Sequence, residues 1–267
     1  MKLTLLKSKL KQTAGIIAIY GAMFVLPVAS DAQSYTINTS SGSFLAGDFP
    51  TNNYGGAGTY AIAPASSSKG EFDSVIMFNT AAAVRQFNSI DGLGNWTITG
   101  ITLSLASNFP TQGESPGNGI FNNINGGNFD IDWLSDNSWT AGSGGGNGGT
   151  GYPNNTSVSF DYIPTLLSYN YDFLQTYTYT PPGNSSYQNY NLPLDPNMVS
   201  GAEGGDVSLY LFAATNSSVS YLFNSQNFAS NHPELTINVA PAPEPGTLAL
   251  LATAFGGLLI ARRNGKS

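Results

Sequence analysis

The sequence predicts an all-β protein, and three observations carry that prediction. Apolar and polar residues alternate at period two in segments such as 101–105, 207–213 and 235–239, which is the period of a half-buried strand. Long amphipathic helix patterns are missing. Turns rich in Gly, Asn, Ser and Pro separate the short apolar segments. This spacing favours a single β-sandwich or jelly-roll domain.

The strands expected in chain order are 35–38, 59–63, 74–78, 96–99, 101–105, 129–134, 158–161, 177–180, 207–213, 219–223 and 235–239. Two short helices are expected, at 80–87 in an alanine run and at 164–168, where Pro164 suits a first helical turn. The glycine-rich segment 142–151 lacks the residue order of a phosphate-binding loop, so it predicts a mobile loop and no nucleotide site.

Composition removes many kinds of catalytic site. Only 9% of the 267 residues are charged, against roughly 25% in an ordinary soluble domain. Cysteine is absent and His232 is the single histidine, which excludes disulfides, Cys/His zinc sites, thiol nucleophiles and iron–sulfur clusters. His232 precedes Pro233 and is expected in a turn, and no Gly-x-Ser-x-Gly motif accompanies it.

Charge is distributed unevenly along the chain. The net charge of the chain is −7. Between residues 33 and 242 there are two cations, Lys69 and Arg85, and fourteen carboxylates, so the net charge of this segment is −12. Such a field repels phosphate backbones, so nucleic acid is not expected as a partner. Calcium or an uncharged polymer suits this segment better.

The N-terminus has the order of a secretory signal peptide. A segment with four lysines ends at Lys11, an apolar run covers 14–26, and Pro27 precedes small residues up to Ala32. We therefore expect a signal peptide over 1–32, cleaved after Ala32, and a protein exported across the inner membrane. An uncleaved membrane anchor is the alternative.

The C-terminal segment 241–267 has three parts: a proline-rich hinge at 241–246, an apolar helix at 247–261 and a basic tail at 262–267. Fifteen helical residues span roughly 22 Å, less than the roughly 30 Å of a hydrocarbon core. The segment is therefore expected to be a short transmembrane helix that anchors the protein transiently. Arg262 and Arg263 would stay on the cytoplasmic side.

This tail resembles the PEP-CTERM sorting signal of Gram-negative bacteria. The Pro-Glu-Pro triplet corresponds to Pro243, Glu244 and Pro245, and the Arg pair to Arg262 and Arg263. The resemblance implies that an exosortase-type processing protease in the inner membrane recognises the triplet and releases the protein to the outer envelope or the exopolysaccharide matrix. A plain tail anchor is the alternative.

The body over 33–240 has a second resemblance. The segments 50–56, 75–79 and 100–106, followed by 132–139 and 221–239, follow an order similar to DNRLRE-type domains. That resemblance implies a jelly roll like those of carbohydrate-binding modules. The motif that names the family is absent, so no site residue is carried over.

Acidic clusters suggest a metal site. Asp130 and Asp132 lie two residues apart, hence on one face of a strand, and Asp136 follows in the turn. Oxygen ligands of this kind suit calcium, the one cofactor the sequence suggests. Asp48 and the pair Glu71 and Asp73 offer similar chemistry. For each cluster taken singly, a solvated acidic turn is the preferred alternative.

A tyrosine-rich segment suggests a ligand. The stretch 169–190 is polar, and it is broken by the Pro-Pro-Gly at 181–183. It is expected to be more exposed than a core needs, with flat rings available to sugars. The candidate residues are Tyr169, Tyr171, Tyr177, Tyr179 and Tyr187. Core packing explains most of the other aromatic residues.

The sequence therefore predicts a non-catalytic secreted envelope or extracellular-matrix protein, sorted by an exosortase-type system and associated with exopolysaccharide or biofilm. A calcium-dependent carbohydrate-binding module is the main alternative. A secreted glycoside hydrolase comes third, because fourteen carboxylates always offer a pair at catalytic separation.

Overall fold

The computed structural model describes residues 31–107, 124–181 and 187–242. One compact unit spans Ala32–Pro241. Residues 1–30 of the signal peptide expected at 1–32 and the whole apolar helix expected at 247–261 lie outside the described residues. Within the ranges just given, no helix is long and apolar enough to cross a membrane.

The prediction of an all-β protein is confirmed, since strands dominate the described residues and the helices are short. The strands are β1 Gln33–Asn38, β2 Ser41–Ala46, β3 Asn52–Asn53, β4 Thr59–Ile62, β5 Phe72–Asn79, β6 Trp96–Ala106, β7 Gly127–Leu134, β8 Gly149–Thr150, β9 Tyr171–Tyr179, β10 Tyr187–Leu192, β11 Asp206–Ala213, β12 Tyr221–Asn224 and β13 Glu234–Pro241. The helices are α1 Ala81–Asp91, α2 Ile163–Leu166 and α3 Pro196–Gly204, with a 3-10 turn at Phe160–Tyr162.

Two antiparallel sheets form the framework. The first sheet has the strand order β1-β13-β6-β10, and the second has the order β2-β5-β11-β7-β9. Two small ribbons, β12-β4 and β3-β8, complete the pairing among the described strands.

The main core draws on both sheets. Leu103 of β6, Leu235 of β13 and Leu209 of β11 are fully buried and belong to one hydrophobic cluster, together with Phe129 and Ile131 of β7. The period-two alternation read from 101–105, 207–213 and 235–239 correctly predicted which side chains face inward. Since both sheets contribute to this cluster, the arrangement is sandwich-like.

The second sheet is buried on its outer side as well. Val75, Leu134 and Tyr210 from its strands pack in a second cluster with Trp139 and Val158 from the connection between β7 and β9. The expectation of half-buried strands is therefore wrong here. Tyr210 occupies an outward position of β11 and is only 7% exposed, because that connection folds back over the sheet.

Both expected helices are present, as α1 and α2, and a third was not anticipated. In α3, the Asp195 side chain accepts hydrogen bonds from the backbone N–H groups of Asn197 and Met198, at 2.8 and 3.1 Å. Asp followed by Pro196 is a helix-start signal that was available in the sequence. The strand expected at 158–161 is wrong, because that segment enters the 3-10 turn.

The glycine-rich segment 142–151 is not the free loop that its composition predicted. Its residues 149–150 form β8, which pairs with β3. The Gly144 N–H donates a 2.8 Å hydrogen bond to Asn53 Oδ1. Glycine is needed at position 144 because a Cβ there would lie 2.1 Å from the Asn53 carbonyl oxygen.

Candidate binding face

The candidate site is the outer side of β7 and β9, where the second sheet ends. β9 is the edge strand, and its register on β7 pairs Tyr171 with Leu134, Phe173 with Asp132 and Thr176 with Asp130. The outward side chains of this pair therefore run from aromatic rings at the start of β9 to hydroxyl and carboxyl groups further along.

A β-bulge determines which side chains of β9 face outward. The register shifts between Ile131 and Asp132 of β7, which pair with Gln175 and Phe173 and leave Leu174 as the extra residue. Tyr171 and Phe173 consequently face out, and Leu174 turns into the main core. C-terminal to the bulge the alternation is reversed, so that odd-numbered residues of β9 point inward instead of outward.

Three rings form an exposed patch at this edge, which we name the aromatic face: Tyr169, Tyr171 and Phe173. Their exposed fractions are 54%, 48% and 59%. Tyr169 precedes β9 by two residues, and the side chains of Tyr171 and Phe173 stand roughly 6–7 Å apart along the strand. Sequence reasoning named the two tyrosines as candidate site residues and left Phe173 out of that set.

Tyr177 and Tyr179 do not belong to the aromatic face, which corrects the prediction for these two residues. Tyr179 is 1% exposed, and its ring stacks on Tyr221 with a centroid separation of 3.6 Å. Tyr177 is half-buried against the main core, and its hydroxyl donates to the Asn191 carbonyl oxygen. Both lie beyond the bulge, so the strand turns them inward.

Tyr187 lies on the first sheet, away from the aromatic face. It begins β10, and its hydroxyl lies 3.0 Å from both the His232 carbonyl oxygen and Glu234 Oε1. Burial is the largest cause that raises the pKa of Tyr187 to about 12, followed by the Glu234 hydrogen bond and charge. These contacts tie β10 to the turn that leads into β13.

The three aspartates predicted as calcium ligands occupy different surroundings. Asp130 Oδ1 accepts a 2.5 Å hydrogen bond from the Thr176 hydroxyl, and Asp136 Oδ1 accepts from the N–H and hydroxyl of Ser138. Asp132 lies between these two residues in the sequence, and it is only 5% exposed. The described part of the chain contains no group of three or more His, Cys, Asp or Glu side chains that could hold a metal ion.

The calcium prediction therefore gains no support from this geometry. Chelation is its test, because a bound ion that stabilises the fold would make the melting temperature fall when it is removed.

Asp132 is the electrostatically perturbed group beside the aromatic face. Burial, and secondarily the charge of Asp130, raise the pKa of Asp132 to about 7. Its Oδ1 atom is buried and has no hydrogen-bond partner in the protein.

A second buried carboxyl group, which the sequence analysis named with Glu71 as a possible calcium ligand, lies on the same side of the second sheet. Asp73 on β5 is 2% exposed, and its Oδ2 accepts a 2.6 Å hydrogen bond from the Tyr210 hydroxyl. Burial raises the pKa of Asp73 to about 7; the Tyr210 hydrogen bond lowers it in part, and the charge of Glu71 adds to the rise. Period-two patterning could not predict that this residue is buried, because the connection between β7 and β9 that packs on this side of the sheet lies far along the chain.

His232 is a turn residue, as predicted. Its Nε2 lies 2.8 Å from the Phe228 carbonyl oxygen, so this nitrogen carries the donated proton. The residues expected to direct sorting lie outside the described residues; they are Pro243, Glu244, Pro245, Arg262 and Arg263.

The chain matches no protein-family model, and no curated protein is significantly similar to it in sequence.

Proposed function

We propose that this chain is a non-catalytic envelope or extracellular-matrix protein. A signal peptide exports it across the inner membrane, the C-terminal helix holds it there transiently, and an exosortase-type protease releases it. The released body then associates with exopolysaccharide in the outer envelope or matrix. The order of segments in the sequence supports the sorting route.

The observation that carries this proposal is the pairing of the first and last strands of the body. β1 and β13 are antiparallel neighbours, and Gln33 pairs with Val239. Because paired residues lie about 5 Å apart, the first and last strands of the body place its two chain ends, near Gln33 and Val239, side by side in the first sheet. Cleavage of both would remove no described strand.

The strand order supports a more specific architecture for the body. The two main sheets contain nine strands. When β5 is left out and the other eight are renumbered 1 to 8 along the chain, the first sheet has the order 1-8-3-6 and the second has the order 2-7-4-5. This order interleaves two Greek keys, the pattern of a jelly roll. We propose a single jelly-roll domain with β5 inserted between β2 and β11.

The charge of the body fits release into water. Residues 33–242 carry −12, and a net charge far from zero keeps a freed domain soluble. The tail has a short apolar helix and a basic end, so its removal separates the membrane-seeking part of the chain from the acidic part.

Substitution of the glutamate in the Pro-Glu-Pro triplet tests the sorting route in the native host. We expect Glu244→Ala to leave an unprocessed, membrane-bound protein whose body is still folded. Glu203→Ala, at an exposed position of α3, is the matched control and should be processed normally. Release of Glu244→Ala with the same C-terminal residue as the released wild type would contradict the proposal.

A further inference from the structure

We propose that the aromatic face, together with Asp130 and Asp132 beside it on β7, binds an uncharged polysaccharide through the flat faces of its sugar rings. This inference rests on the proposed function, which has the body associate with exopolysaccharide. It adds the binding site and the class of polysaccharide.

The exposure of three neighbouring rings is the first argument. Tyr169, Tyr171 and Phe173 are each about half exposed, although the other described aromatic side chains are mostly buried or half-buried. Single exposed apolar residues need no explanation, but three exposed rings within five residues at one sheet edge favour an interaction surface. Tyrosine and phenylalanine supply flat contact area at low entropic cost.

The bulge provides the second argument, because it places the rings at the surface. In an uninterrupted strand, Tyr171 and Phe173 would share a face with Tyr177 and Tyr179 and turn into the core. The extra residue Leu174 separates the two pairs. Bulges often re-aim side chains next to functional sites.

Hydrogen-bonding groups adjoin the rings. Asp132 pairs with Phe173, and its buried Oδ1 lacks a protein partner. Further along β9, the hydroxyl of Thr176 adjoins the Asp130 carboxylate, which extends the polar strip along which a sugar chain can lie.

Charge selects the class of polysaccharide. Asp130 lies beside the rings on β7 with the largely buried Asp132 next to it, and the strands of the site carry no Lys or Arg. The two cations in residues 31–242 are elsewhere, Lys69 between β4 and β5 and Arg85 in α1. A polyanion would meet like charges with no compensating cation. An uncharged, hydroxyl-rich chain meets hydrogen-bond acceptors and apolar rings.

The test measures binding by the full chain in detergent to two neutral polymers, a soluble β-glucan and a galactomannan, and to the polyanion alginate. We expect the wild type to bind a neutral polymer and not alginate. The double variant Tyr171→Ala/Phe173→Ala should weaken binding at least about tenfold, as loss of central aromatic anchors does. Phe173→Tyr should retain it, because the ring is kept.

Phe49→Ala is the matched control, because Phe49 is 59% exposed, the same fraction as Phe173, and lies outside the aromatic face. It should bind as the wild type does. Unchanged melting temperatures would show that every variant is folded.

The proposal is overturned by tighter binding to alginate, by a double variant that binds as the wild type does, or by absence of binding to either neutral polymer. Sedimentation that shows a wild-type dimer and a monomeric double variant, without polysaccharide binding, would instead assign the face to self-association. Each of these outcomes leaves the processing reaction at the tail untouched, so the two proposals fail separately.

Discussion

Asp73 shows how a single buried carboxyl group makes the stability of this fold depend on pH. Its pKa is raised to about 7, chiefly by burial, whereas an aspartate in the unfolded chain titrates near 3.9. The folded state therefore holds a proton that the unfolded state has lost between about pH 4 and pH 7. The protonated Asp73 side chain therefore contributes its full stabilisation of the folded state below about pH 4. By linkage, that contribution is lost as the pH rises to about 7.

We predict that Asp73→Asn reduces this loss. The amide oxygen can still accept the hydrogen bond from Tyr210, but the group no longer ionises. At about 1.4 kcal/mol per pKa unit, the difference is on the order of a few kcal/mol. Melting temperatures at pH 4.5 and 7.5 measure it, with Asp161→Asn, at an exposed position, as control. Equal losses in wild type and Asp73→Asn would contradict the assignment.

Gly144 and Gly146 lie two residues apart and have opposite surroundings. A Cβ at Gly144 would lie 2.1 Å from the Asn53 carbonyl oxygen and 2.5 Å from the Gly149 nitrogen, whereas a Cβ at Gly146 would have no neighbour within 4 Å. We predict that Gly144→Ala destabilises the protein by at least about 1 kcal/mol, and that Gly146→Ala does not. Urea denaturation of both variants compares them, and equal midpoints would mean that β8 does not hold this segment against β3.

Sequence patterning and structure agree for some residues and differ for others. Leu103 and Leu209 could be assigned to the core because their strands alternate without interruption. Asp73 and Tyr210 could not, because their burial depends on a chain segment that folds over the sheet from a distance. Local periodicity reports the local strand geometry and carries no information about such a cover.

At the scale of elements, β9 divides a tyrosine-rich sequence between two environments. We predict that Tyr179→Ala costs roughly 3–5 kcal/mol of unfolding free energy, because a buried ring is removed. Tyr171→Ala should cost less than about 0.5 kcal/mol, as expected at an exposed position. Chemical denaturation of the two variants compares the same substitution on either side of the bulge. Equal costs would place Leu174 in a regular strand and contradict the register.

The candidate ligand set could be predicted in part for the same physical reason. Tyr169 and Tyr171 were identified from polarity and turn residues, which correctly indicate an edge segment. Tyr177 and Tyr179 were included because they belong to the same polar, tyrosine-rich stretch, and regular alternation would give them the same parity as Tyr171. A one-residue bulge reverses that parity, and nothing in the residues around Leu174 signals it.

At the scale of the whole molecule, the edge formed by β1 and β13 connects the fold to the proposed processing. The body begins and ends on adjacent strands, so removal of the proposed export and sorting segments would take away none of the described strands. The all-β class followed from periodicity alone. The assignment of strands to two sheets did not, because pairing between β1 and β13 joins residues about 200 positions apart, and local patterns do not encode such pairings.

The intact mass of the protein recovered from the envelope or matrix of its native host tests the central claim most directly. We predict a species that begins near Gln33 and ends near Pro245, so that it lacks both the apolar helix and the basic tail. A species that retains Arg262 and Lys266 would contradict the account, because the C-terminal segment would then be a permanent part of the protein.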